Sequence, residues 1–141
     1  ADRLVGNLAQ FEANHGLNTC AQDYGYSDRQ WNHPVGWAPL HWMVFEGLRA
    51  YGYAQPACRI ALKWLHLNLH IWRTEQNTFR KSDATPLDRL QQGLYEKYDV
   101  VRGSHQVLTD RYSNQKGFGW TNAVFHLLTE ALTAPTGGLP A

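Results

Sequence analysis

The run from Pro56 to Arg73 most constrains what this chain can become. Ile60, Leu62, Trp64, Leu65, Leu67, Leu69, Ile71 and Trp72 are apolar on more than one side of a helix. A helix that is greasy most of the way round is buried between several neighbours. With 141 residues the chain is one domain at most, too short to surround such a helix easily. The expectation is therefore a helix built for neighbours that this stretch of sequence does not fully supply.

Helical spacing recurs on either side of it. Residues 1 to about 14 carry Leu4, Val5, Leu8 and Phe11, the stripe of an amphipathic helix, with Gly16 as a stop. Residues 17–29 read as loop. Pro39 opens a helix to about Tyr51, with Leu40, Met43, Val44 and Leu48 on one face, and Gly52 breaks it. Thr74 to Ser82 reads as a polar connection. Thr85-Pro86 gives an N-cap and first residue for a short helix to about Gln92. Residues 93–116 are irregular, and a last helix spans about Asn122 to Leu132, with Val124, Phe125, Leu127, Leu128 and Leu132 for the core. Residues 134–141 are rich in Pro and Gly and are expected to fray as a flexible tail. No β alternation stands out, so the expected fold class is all-α with about five helices. Trp42, Trp64 and Trp72, at helical spacing, are expected in the core.

Several function classes drop out. A net charge of +1 makes no electrostatic case for nucleic acid or an anionic membrane. No apolar run approaches the roughly 20 residues of a membrane span. The N-terminus shows no basic segment followed by an apolar core, hence no visible signal peptide. Cys20 and Cys58 leave both pairing and compartment open. His66 and His70 have zinc-compatible spacing, but no third ligand is evident and the metalloprotease Glu is missing, so no metal is expected. Gly117-x-Gly119 is too short for a phosphate loop, and no cofactor is expected.

Two aromatic loops carry the chemistry. The first is Gln30-Trp31-Asn32-His33-Pro34-Val35-Gly36-Trp37-Ala38-Pro39. Its prolines push His33 and Ala38 towards extended geometry and exclude helix. The second is Gly117-Phe118-Gly119-Trp120-Thr121-Asn122-Ala123, just before an apolar helix. Rigid loops presenting rings and amides suit a sugar, whose C–H faces stack on indoles while its hydroxyls pair with amides and carboxylates. The same loops could equally plug a helical core with Trp31 and Trp37.

These loops, with Glu96-Lys97-Tyr98-Asp99-Val100 between them, resemble in order the signatures of the trehalase family of inverting α-glucoside hydrolases, up to about Thr133. Related toroidal α-glucosidases share a looser version. The resemblance implies that residues 1–133 are the C-terminal part of an (α/α)6 toroid of six helical hairpins. The partners it implies are a small sugar, trehalose or another glucoside, and the remainder of the helical barrel, from upstream polypeptide or another chain. Inverting hydrolysis needs a carboxylic acid and a carboxylate base roughly 6.5–9.5 Å apart. The family's acid lies upstream of the first signature. Its base aligns with Arg111, and a guanidinium cannot take that role. Asp110 is adjacent but short. Glu96 resembles the base position of the related glucosidases and is the better stand-in, against the alternative of a hydrogen-bonding strut. Trp31, Trp37 and Trp120 are candidate stacking walls, with Gln30, Asn32 and Gln115 as hydroxyl partners. Asn32 stands where the family has Asp. Phe118 is expected to pack. The functional expectation is part of a trehalose-hydrolysing enzyme. The alternative is an inactive sugar-binding or structural helical fragment. Compartment is left open.

Overall fold

Helix α1, Asp2–Leu8, is shorter than its apolar stripe predicts. The computed structural model describes residues 2–25, 29–81, 93–107 and 112–134, and within them the chain turns at 9–11 instead of continuing as helix. Gln10 N–H and Phe11 N–H bond back to Asn7 and Leu8, and strand β1, Glu12–Ala13, follows. The cause is tertiary. Glu12 is drawn to Arg59 at 2.8 and 2.9 Å and to Lys63 at 2.7 Å, and Lys63 also donates to the Ala13 carbonyl. The Arg59 guanidinium, with Lys63, holds the Glu12 carboxyl down at about 2 against the cost of burial.

Strand β2, Gly16–Leu17, pairs with β1 as an antiparallel hairpin, Glu12 opposite Leu17 and Ala13 opposite Gly16. Gly16 is therefore a hairpin residue, not a helix cap. Its φ of 151° lies where side chains are disfavoured, and a Cβ there would strike the His41 ring.

The first aromatic loop ends in strand β3, Val35–Trp37, and helix α2 runs Ala38–Ala50. The extended residue before the helix is Trp37, at φ −128° and ψ 138°. Ala38, expected to be extended, is already helical. Pro39 sits in the first turn, where its missing N–H has no intrahelical partner to lose. The buried face of α2 is Ala38, His41, Phe45 and Leu48. The expected stripe is rotated, and Met43 lies in solvent, because a histidine, which pattern reading assigns to water, belongs to the core. Gly52, at φ 80°, closes the helix. Tyr53 N–H reaches Leu48 O and Gly52 N–H reaches Arg49 O, a Schellman cap.

Helix α3, Ala54–Lys81, overruns the expected stop at Arg73. Its extra turns are pinned by Glu75, which accepts from the Tyr95 hydroxyl at 2.5 Å and pairs with Lys116 at 3.0 Å. Ile60, Trp64, Leu65, Leu67 and Ile71 are buried, whereas Leu62, Leu69 and Trp72 are exposed. Only part of the apolar circumference is covered, and Trp72 is not core. Trp42 is partly buried against the core. Helix α4, Gly119–Thr133, contributes Val124 and Leu128 to the core while Leu127 is exposed.

Strand β4, Lys97–Asp99, pairs antiparallel with β3: Val35 opposite Asp99, Gly36 opposite Tyr98, Trp37 opposite Lys97. The chain is mostly helical, as expected, with two short ladders that the sequence reading did not contain. Strands of two or three residues are too short to show alternation. The described residues contain four helices. The short helix expected near Thr85 and the tail beyond Ala134 lie outside the described residues. Helices α2, α3 and α4 pack around Trp64, Phe45, Leu48 and Leu128, all essentially unexposed. No helix among the described residues is long and apolar enough to cross a membrane.

Candidate active site

The β3–β4 register decides what meets what. Trp37 and Lys97, direct partners, project to the same face of the ladder. The Lys97 ammonium lies 5.2 Å from the Trp37 ring centre and 4.2 Å from that of Tyr112. Next to it in sequence, Glu96 is 4% exposed. Its Oε2 pairs with Lys97 Nζ at 2.7 Å, and its Oε1 accepts from the Tyr112 hydroxyl at 2.8 Å. Burial, and then the adjoining Glu96 carboxylate, push the Tyr112 phenol up, so it remains an O–H donor.

The second aromatic loop closes on the same point. Glu96 N–H donates to the Gln115 carbonyl at 2.8 Å. The Trp120 indole N–H and the Thr121 hydroxyl both reach the Glu96 carbonyl at 3.4 Å. Asn114 donates to the carbonyls of Lys97 and His105, each at 2.8 Å.

The first loop supplies the rings. Trp31 stacks on Trp37 at 4.2 Å and 7°, and Trp37 meets Trp120 edge-on at 5.7 Å and 85°. Trp37 Nε1 donates to the Gln30 carbonyl at 3.1 Å, while Gln30 Oε1 lies 3.4 Å from Lys97 Nζ. Trp37 is 1% exposed, whereas Trp31 and Trp120 are 47% and 36% exposed. The accessible rings are thus Trp31 and Trp120, and Trp37 backs them. Phe118 packs on Trp120 at 4.9 Å.

Two of the expected hydroxyl partners point elsewhere. Asn32 is buried and its amide donates to Asp23 Oδ1 at 3.2 Å, so it braces the preceding loop. The Gln115 side chain folds back onto Ser113, leaving its backbone as the contribution to the cluster. Asp110 and Arg111 lie outside the described residues. His66 and His70 are exposed on α3, and no group of three potential metal ligands occurs among the described residues. Cys20 and Cys58 are unpaired thiols.

Three segments distant in sequence therefore meet at the Glu96–Lys97 pair, the first loop through Lys97 and the second through the Glu96 backbone, in the order in which the resemblance placed them. The profile of the trehalase family matches residues 3–132. The chain belongs to the trehalase family. It is similar to a probable trehalase of Saccharomyces cerevisiae, 35% identical over 136 residues that cover 85% of this chain and 16% of that protein. A periplasmic trehalase of Escherichia coli is 39% identical over 109 residues, 77% of this chain and 16% of its own length. Among solved structures, a neutral trehalase of Saccharomyces cerevisiae superposes with a TM-score of 0.61 at 29% identity, covering 93% of this chain and 20% of that one. The chain thus spans a fifth or less of the length of these relatives.

Within this trehalase segment, sequence reasoning missed Lys97, Tyr112 and Asn114 as members of the cluster. Lys97 sits inside the Glu96-Lys97-Tyr98-Asp99-Val100 motif, and Tyr112 and Asn114 lie just upstream of the second aromatic loop. No local signal marks Lys97, because its place follows from the register that sets it opposite Trp37.

Proposed function

We propose that this chain is part of a glycoside hydrolase that converts trehalose to glucose with inversion, and that residues 1–133 are the C-terminal part of an (α/α)6 catalytic toroid, followed by a tail at 134–141. The observation that carries this reading is a cluster built on the Glu96–Lys97 pair: Tyr112 donates to the Glu96 carboxylate, Trp120 reaches the Glu96 backbone carbonyl, Gln30 and Trp37 approach the Lys97 ammonium, and Trp31 stacks on Trp37. The half-exposed indoles of Trp31 and Trp120 are suited to stack on the C–H faces of a glucosyl ring. The uncovered apolar residues of α3 suit packing against the remainder of the barrel.

In this reading Glu96 is the base. Tyr112 and Lys97 occupy one lone-pair position on each of its oxygens, which leaves others to accept from an attacking water. Gln30 Oε1 and the Trp120 rim orient the sugar. The leaving oxygen is protonated by an acid carried on the rest of the enzyme, roughly 6.5–9.5 Å from the base. Arg111 cannot accept a proton, and Asp110, next to it in sequence, is the alternative carboxylate.

One observation favours a second reading. Both Glu96 oxygens are already engaged by buried or half-buried donors, which suits a strut as well as a base. The chain would then bind sugar without hydrolysing it. Incubation with trehalose, alone and with polypeptide completing the domain, separates the two. Glucose release that vanishes in Glu96→Gln and persists in Arg111→Ala supports Glu96 as base. Binding without glucose in either setting supports the second reading. The absence of both overturns the proposal.

A further inference from the structure

Lys97 is the charged group of the Glu96 cluster whose presence the proposed chemistry leaves unexplained. Its side chain has no exposure, and it pairs with a Glu96 side chain only 5% exposed. An ammonium removed from water is costly unless it is compensated. Here one carboxylate neutralises it and two ring faces, Trp37 and Tyr112, take the place of solvent. Stability does not account for the arrangement, because apolar residues of similar volume commonly replace a buried ion pair at no loss. An apolar residue could not hold a carboxylate in one orientation.

Every neighbour of Lys97 in this cluster belongs to the sugar reading. Glu96 is the carboxylate, Trp37 backs the exposed Trp31 ring at 4.2 Å, Tyr112 donates to the far oxygen of Glu96, and Gln30 reaches the ammonium through Oε1. Lys97 also stands directly across the ladder from Trp37, so its place is fixed by backbone pairing and not by a flexible stem. We infer that Lys97 is a positioning residue of the sugar site: its buried ammonium fixes the Glu96 carboxylate and the spacing of the Trp37 and Tyr112 rings, so sugar binding depends on a side chain that no sugar atom touches. This rests on the reading of the cluster as a trehalose site.

The test measures trehalose affinity of the full chain by tryptophan fluorescence quench, with thermal melting and near-UV circular dichroism, for wild type, Lys97→Met, Lys97→Arg, Glu96→Gln and the double variant. Misplacement of a site by about 1 Å costs up to roughly a hundredfold, so Lys97→Met should weaken trehalose by about tenfold or more. Lys97→Arg should restore most of that loss. Because Lys97 acts through Glu96, the double variant should lose no more than the worse single variant. Lys97→Met binding trehalose as tightly as wild type, or losses that add in the double variant, would overturn the inference. If Lys97→Met does not fold, Glu96→Gln and Lys97→Arg decide, and unchanged affinity in Glu96→Gln is then the refuting result. A wild-type chain that binds no trehalose refutes the sugar reading instead. The positioning role is then judged by the exciton band of the stacked Trp31–Trp37 pair, which should collapse in Lys97→Met and return in Lys97→Arg. A band unchanged in Lys97→Met refutes it.

Discussion

On one face of the β3–β4 ladder Tyr98 meets Trp64 edge-on at 5.3 Å, and Trp64 stacks on His41 at 4.0 Å. On the other face Lys97 meets Trp37, and Trp37 stacks on Trp31. The two clusters use the same ring chemistry one residue apart along the strands. The first is sealed: His41, Trp64 and Tyr98 have no exposure. Its polar member is held neutral. His41 Nε2 accepts the Leu17 N–H at 2.7 Å, so Nδ1 carries the proton and donates to the Trp37 carbonyl at 2.8 Å. The second cluster holds an ion pair and ends in rings open to water. Removing polar groups from solvent favours their neutral form, so the sealed side can fasten hairpin to helix but has no charge to offer a ligand. The open side sets its carboxylate against an ammonium at 2.7 Å.

The largest effect should come from the sealed side. Trp64→Ala deletes a fully buried indole shared by α2, α3 and β4, and loss of such a side chain costs about 3–5 kcal/mol. Urea denaturation would register it as a lower midpoint, and a shift under 1 kcal/mol would mean that the stack contributes little.

The neutral histidine sets the next effect. Burial pushes His41 down to about 4 from an ordinary value of 6.5. Between these values the unfolded chain binds a proton that the folded chain does not, so stability falls as pH drops from about 6.5 to about 4. The full loss is about 3 kcal/mol at 1.36 kcal/mol per unit. Above pH 6.5 the term is flat. Protonation would also repel the Leu17 N–H that Nε2 accepts. Denaturation midpoints between pH 4 and 7 should show this slope, and His41→Gln should remove it. A slope that survives the substitution assigns it to other groups.

Much of the open side was legible because its parts carry strong local signals. Pro34, Gly36 and Pro39 mark a non-helical loop feeding a helix, and indoles beside amides mark a candidate ring platform. The Gly52 stop was legible for the same reason. The sealed side was hidden, because His41 reads as a solvent residue and its core role depends on Leu17 in a hairpin of two-residue strands. The overrun of α3 past Arg73 rests on Glu75 bonding to Tyr95 and Lys116, contacts that no window of the sequence contains. Lys97 was passed over for the opposite reason: charge normally argues for exposure, and only the register with Trp37 puts it inside.

Gly36 lies between the two clusters, and a side chain there should disturb both. A Cβ would strike the Val100 side chain and come within 2.7 Å of the Leu17 carbonyl oxygen. That oxygen is backbone in the hairpin and cannot turn aside. Overpacking of this kind costs about 1–3 kcal/mol. Since Gly36 stands opposite Tyr98 and beside Trp37, Gly36→Ala should lower both melting temperature and trehalose affinity. Loss of stability with unchanged affinity would show that the two faces are mechanically independent.

Trp31→Ala should have the smallest effect on the fold and is the sharpest probe of the difference between the faces. The ring is 47% exposed, and what it covers is one face of Trp37, a contact of about 0.5–1.5 kcal/mol. Part of that is returned, because the exposed half of the indole was never removed from water and its truncation forfeits only the covered area. The melting point should therefore move far less than in Trp64→Ala, although both variants delete the same side chain. Sugar affinity should behave in reverse. If Trp31 is the stacking wall, its removal takes away the accessible face, and fluorescence quench by trehalose should disappear while the chain stays folded. Equal destabilisation by the two tryptophan variants would mean that Trp31 is as structural as Trp64. The open face would then be a second core seam with its lid ajar, not a platform for a ligand.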